Sequence, residues 1–252
     1  MTEILYGPDL SRYNILYVGG ERLGEIDEEK FKELDACAIK LTEGWGWLDP
    51  VAYYLVEVCE RTGVPYMTYH YWHPALDQNR QADWAVSHLD KLKTLFGRLP
   101  PMGAAADVET NNRLQREVVD KRLRYFLPRM HTLLPGSMQT IYTRKTVFDP
   151  YVSTSPWYGE NYHLWVAHYE TQWPWIPASW SKLYGKDGWD MHQIRETHSG
   201  GAYGIPDETI DWNRIKDYMI PDADDSLTAE EMLDLLWETA IKRGWDLPVK
   251  EQ

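Results

Sequence analysis

Residues 104–110 read AAADVET: three small apolar residues run straight into two acids spaced by one. A polar helix-like stretch (77–96) closes at Gly97 ahead of them, and a basic amphipathic stretch (114–133) follows. A short apolar run between two helices is the repeating unit of a parallel βα sheet. The same alternation continues in both directions. Strand candidates fall at 4–10, 36–42, 64–72, 103–109, 138–143, 163–169, 189–194 and 209–213. Further helix-like stretches lie at 27–34 and 50–62. Strands in that number over a single domain predict a closed α/β barrel of the TIM type. The connections between 144 and 208 are rich in Pro, Gly and Trp and do not read as full helices. The expected fold is an irregular single-domain barrel with reduced helices in its second half.

The chain has 252 residues with 26 Lys+Arg against 39 Asp+Glu, a formal net charge of −13. That balance excludes a general phosphate-backbone binder, which lives on released counterions, so no nucleic-acid partner is expected. It equally opposes docking by charge on an anionic membrane. The apolar runs are too short for membrane insertion. The N-terminus, MTEILYGPDLSRY, carries no basic-then-apolar signal pattern. Cys37 and Cys59 sit in apolar or helix-like surroundings and read as two buried free thiols. The aromatic load is 13 Trp and 17 Tyr against 4 Phe. Rings with an apolar face and a polar edge suit sugars, although Trp and Tyr in a core account for the same composition.

Side chains at i and i+2 of a strand share a face. Asp107 and Glu109 therefore both point into the barrel, at the end of the fourth strand where barrel enzymes keep their chemistry. Two neighbouring carboxylates repel, which raises one pKa and suits it to general-acid work. Asp9 closes the first strand candidate and Asp211 lies in the last; first and last strands of a closed barrel are neighbours, so these two acids should meet. Taken alone, Asp9 reads equally as a turn residue after Pro8, and Asp211 as a helix N-cap ahead of Trp212. Tyr69 and Tyr71 share one face of the third strand, and Trp165, Ala167 and Tyr169 share one face of the sixth. Tyr142 ends the fifth, and Gln193 follows His192 in the seventh. An acidic pocket walled by Tyr and Trp favours a glycosidase. The phosphate-binding glycine loops, the nucleophile elbow and the zinc-binding motifs are all missing. Neither a cofactor nor a metal is expected.

In this order the residues resemble glycoside hydrolase family 25, the Chalaropsis-type lysozymes that include many phage endolysins. The resemblance spans roughly residues 6 to 218. It is carried by Gly7-Pro8-Asp9-Leu10-Ser11, Ile39-Lys40-Leu41-Thr42-Glu43-Gly44, Gly63, Tyr69-His70, Asp107-Val108-Glu109, Ile141-Tyr142, Leu164-Trp165-Val166-Ala167, Tyr169, Gln193 and Ile210-Asp211. It implies an irregular barrel that cleaves the β-1,4 bond between N-acetylmuramic acid and N-acetylglucosamine of peptidoglycan with retention. By matching position it implies Glu109 as general acid/base, Asp107 orienting the substrate's acetamido group, and Asp9 and Asp211 completing an acidic floor. Lys40, Tyr69, Tyr71, Tyr142, Trp165, Tyr169 and Gln193 would bind the glycan strand. Departures occur at Pro8, in the stretch NILYVGGERLGEID (14–27), in the loop Trp45-Gly46-Trp47 and at His192, where the family often carries Trp. They bear on subsite preference, since all four acids are present. The alternative is a catalytically silent glycan-binding or phage structural module on the same barrel.

The catalytic barrel is expected to occupy residues 1–220. Residues 221–252 read as an acidic linker (PDADD) and an amphipathic helix opened by Thr228 and Glu231 with capping-box spacing. That helix packs back on the barrel or docks a partner domain or a second copy. With no signal pattern, an enzyme of the bacterial cell wall would be released by phage lysis or a non-classical route.

Overall fold

A computed structural model describes residues 3–221 except 16, 19, 20, 23, 137, 170, 208 and 209. The expected tail helix lies outside the described residues. Eight strands form the barrel: β1 (Ile4–Leu10), β2 (Cys37–Glu43), β3 (Tyr66–Tyr71), β4 (Ala104–Asp107), β5 (Met138–Thr143), β6 (His163–Ala167), β7 (Met191–His198) and β8 (Ile210–Lys216). They follow one another around the sheet, and β1 pairs with both β2 and β8 to close it. The short strand Trp47–Leu48 adds to the edge of β2.

The strands β1 to β7 run parallel, whereas β8 is antiparallel to both neighbours. The sheet is therefore mixed rather than uniformly parallel at its seam. The cause is local. Among its described residues, the β7–β8 connection holds only a 3-10 turn, Gly200–Tyr203. A parallel return needs a crossover of a dozen or more residues, usually helical, so a short connection must reverse the chain.

The helices are α1 (Glu28–Phe31), α2 (Ala52–Thr62), α3 (Gln78–Phe96), α4 (Arg116–Leu133), α5 (Lys145–Tyr151), α6 (Trp157–Asn161) and α7 (Ala178–Tyr184). The last three are short, as the Pro- and Gly-rich second half implied. Gly63 and Gly97 end α2 and α3 with φ of 76° and 77°, the left-handed turn that glycine adopts without strain.

Residue parity sorts the core into two layers. Ala38, Met67, Ala105, Tyr142, Trp165, Ala167, Met191 and Ile215 fill the barrel interior. Their strand neighbours Ile39, Ala106, Ile141, Leu164, Val166 and Trp212 face outward to the helix layer. Small residues on one side make room for Trp165 and the methionines on the other, as in other closed barrels. Gly7 belongs to this arrangement: a Cβ there would lie 1.8 Å from the Ala36 carbonyl oxygen. Cys37 and Cys59 are free and buried with sulfurs 3.4 Å apart. Burial pushes the Cys59 thiol well up, which leaves it protonated and inert.

Candidate active site

The inward parity that fills the barrel's lower interior brings polar side chains to its upper rim. A cleft of about 550 Å³ opens at the C-terminal ends of the parallel strands. Asp9, Lys40, Tyr69, Tyr71, Asp107, Glu109, Tyr142, Trp165, Tyr169, Gln193 and Asp211 all line it, so the structure gathers every residue singled out from the sequence. Two details differ. The strand β4 ends at Asp107, so Glu109 stands just beyond the ladder rather than within it. Asp211 is neither an N-cap nor in a parallel strand; it pairs in register with Asp9 across the antiparallel β1–β8 seam. The reversal of β8 is what lifts Asp211 to the rim, because its first residues then lie beside the last ones of β1.

Beneath the rim a buried network fixes Asp9. Gln193 Nε2 donates to Asp9 Oδ2 at 2.8 Å and Asn213 Nδ2 donates to the same oxygen at 3.3 Å. Gln193 Oε1 accepts from the Tyr142 hydroxyl at 2.7 Å and from Tyr169 at 3.2 Å. Asn213 Oδ1 accepts from the Trp165 indole at 2.8 Å, which orients that ring edge-on to Tyr142. Burial pushes the Asp9 carboxyl up to about 6, against the pull of the Gln193 and Asn213 donors. Burial also raises Asp107 well above the carboxylate range, and the charge of Glu109 adds to it. Asp107 Oδ1 is buried without a hydrogen-bond partner. The Tyr69 and Tyr142 hydroxyls are raised by the same desolvation and acidic surroundings, and so remain donors.

Cations frame the acids. Arg144 Nη2 donates to Glu109 Oε1 at 3.0 Å. Lys40 pairs with Glu43 at 2.7 Å and lies 5.0 Å over the Tyr71 ring. Tyr13, Asn14, Ser11, Arg144 and Asp207 also line the cleft, and Asn213 supports its floor. Sequence reading gave these six no role in the site. Arg144 was legible as the residue just past β5, and Asn213 as the i+2 partner of Asp211. The loop residues 11–14 carried no periodic signal. Among the described residues no group of three or more His, Cys, Asp and Glu is placed to hold a metal ion. No described helix is long and apolar enough to cross a membrane.

Comparison with known proteins agrees with this fold. The family model "Glycosyl hydrolases family 25" matches residues 25–201. Asp9 and Asp211 lie outside that match and enter the cleft through barrel closure. No curated protein matches the sequence. Among solved structures, the bacterial lysozyme from Streptomyces coelicolor superposes with a TM-score of 0.66 at 18% identity, covering 86% of this chain and 94% of that one. The muramidase from Trichobolus zukalii gives 0.65 at 20% identity, covering 87% and 95%. The catalytic domain of an endolysin from a bacteriophage of Listeria monocytogenes gives 0.66 at 16% identity, covering 86% and 96%.

Proposed function

Because this chain belongs to glycosyl hydrolases family 25, we propose that it is a peptidoglycan hydrolase that cuts the β-1,4 bond between N-acetylmuramic acid and N-acetylglucosamine. The observation that carries the reading is the convergence of Asp9, Asp107, Glu109 and Asp211 on one cleft walled by Tyr and Trp. The names lysozyme, muramidase and endolysin on structures of the same fold support it.

In this reading Glu109, at the open rim, gives its proton to the glycosidic oxygen as the bond to the anomeric carbon breaks. The substrate's own acetamido oxygen attacks that carbon, a recognised alternative to a carboxylate nucleophile placed about 5–5.5 Å from the acid. Asp107 Oδ1, buried and unpartnered, receives the acetamido N–H and so holds the acetamido group for attack. Glu109 then takes a proton from water, which opens the cyclic intermediate from the opposite face and restores the starting configuration. Asp9 and Asp211 stabilise positive charge on the sugar ring from below. The aromatic walls hold the flanking sugars by their apolar faces.

The test is a digest of purified peptidoglycan by the wild type and by Glu109→Gln, with borohydride reduction and mass spectrometry of the products. Reduced muramic acid ends formed by the wild type and lost in the variant are expected. Absence of cleavage by the wild type on several wall types overturns the reading. A substrate analogue without a usable acetamido group that is cleaved at the normal rate overturns the substrate-assisted step alone.

A further inference from the structure

A second hollow, of about 870 Å³, lies at the other pole of the barrel. It is framed by the starts of β5 and β6, the residues just before β7, the end of β8 and the helices α6 and α7. These are the N-terminal ends of the parallel strands, so the hollow is separated from the catalytic cleft by the length of the barrel.

Its walls are aromatic and its edges polar. Trp180 and Trp189 are buried, whereas Tyr184 and Tyr218 are 55% and 54% exposed. The rings are held in place. Trp180 donates its indole N–H to the Tyr162 carbonyl at 2.8 Å, and Tyr184 donates its hydroxyl to the Gly159 carbonyl at 3.2 Å. Asp190 accepts from the Leu164 amide at 2.6 Å, from the Tyr218 hydroxyl, and faces His163 Nδ1 at 3.3 Å. One donor is left over. Trp189 is 3% exposed and its indole nitrogen is buried with no hydrogen-bond partner. Buried indole N–H groups almost always find an acceptor, so this orphan, on a residue that lines the hollow, is a donor the protein itself leaves unsatisfied.

The charges narrow the ligand. Lys216 lies 4.9 Å over the Trp189 ring and donates to the Asp187 carbonyl at 2.9 Å, so its cation is already engaged. His163 is taken by Asp190, and Glu160, Asp187 and Asp190 make the lining acidic. A phosphate or an anionic lipid would meet mostly like charge. A neutral polyol with apolar ring faces meets tyrosine faces and carboxylate acceptors beside an indole N–H that no protein group satisfies.

We propose that this hollow is a second glycan-binding site, which takes a β-1,4-linked N-acetylhexosamine segment without cutting it. The proposal rests on the glycan-cleaving reading above for its class of ligand. A second grip at the far pole raises the local concentration of enzyme on an insoluble wall through effective concentration alone. For a chain of charge −13 on an anionic wall, such a grip replaces electrostatic attraction.

Two measurements test it. In the first, ¹⁵N-labelled Glu109→Gln protein is titrated with N,N′,N″-triacetylchitotriose and the indole N–H signals are followed. The Trp189 signal, assigned with Trp189→Phe, is expected to shift and saturate alongside that of Trp165. A response confined to Trp165, or a Trp189 signal that follows protein concentration and not sugar, overturns the proposal; the latter would mark contact between copies of this chain. In the second, Tyr184→Ala, Tyr218→Ala and the double variant are compared with the wild type. Turnover of short soluble glycan should be unchanged, while retention on purified sacculi falls by about three-fold or more in the double variant. Equal retention overturns the proposal. Loss of all hydrolysis in the wild type with a normal Trp189 response would instead overturn the catalytic reading and leave this one standing.

Discussion

Gln193 Nε2 lies 2.8 Å from Asp9 Oδ2, a bond between the seventh and first strands of the barrel. It holds a carboxylate where burial works against its charge.

That opposition has a sign that can be measured. The folded-state pKa of Asp9 is about 6 against an ordinary 3.8. The folded state therefore favours the protonated form, and stability from this group is full below pH 3.8 and lost as pH rises through 6. The loss amounts to about 3 kcal/mol. Asp9→Asn keeps an acceptor for Gln193 and Asn213 without the charge. It should melt several degrees above the wild type at pH 7.5 and show no gain at pH 3.5, while losing activity. A melting difference independent of pH would show that desolvation is not the cause.

The Arg144–Glu109 pair separates stability from catalysis. Its members are 40% and 23% exposed, and such a pair contributes no more than about 1 kcal/mol to folding. In the proposed mechanism the pair orients Glu109, and a misplaced acid loses rate steeply. Arg144→Ala should leave the urea midpoint almost unchanged and lower kcat/KM by about ten-fold. Arg144→Lys should recover only part, because an ammonium lacks the planar fork that fixes a carboxylate.

Gly7 tests the packing of the closure. A methyl group there meets backbone, not a movable side chain, at 1.8 Å. Gly7→Ala should cost about 3 kcal/mol or more, at the upper end of overpacking. Circular dichroism melts would show it, with Gly46→Ala as a control: that site has nothing within 4 Å, although its φ of 115° brings backbone strain of its own.

Salt gives a prediction from the charge. With −13 on the enzyme, added salt screens repulsion from an anionic wall. Lysis of intact walls should be flat or rise between low and physiological ionic strength. A steep fall, as for a cationic enzyme, would contradict it.

Much of this was legible in the chain because strand parity is rigid. The inward placement of Tyr69 and Tyr71, of Trp165 and of Asp107 follows from period two alone, whereas Glu109 and Tyr169 stand just past the ends of their strands. The reversal of β8 was less visible, since the propensity of TIDWNRI is the same in either direction and only the shortness of the preceding turn decides it. Asn213 and Arg144 were harder to see: strand position brings both to the cleft, but the contacts that single them out, with Asp9 and Glu109, run between strands distant in sequence. The linker and helix expected at 221–252 are a proposal about the chain's organisation, separate from the barrel.

The seam between β1 and β8 also governs when the molecule acquires a working cleft. Asp9 lies on the first strand of the barrel, whereas Asp211 and Asn213 lie on its last. Contacts so distant in sequence form late, because the intervening chain must first be ordered. During synthesis the earlier strands carry Asp107 and Glu109 without their floor. The floor of the cleft is thus complete only once the eighth strand is released and turns back against the first.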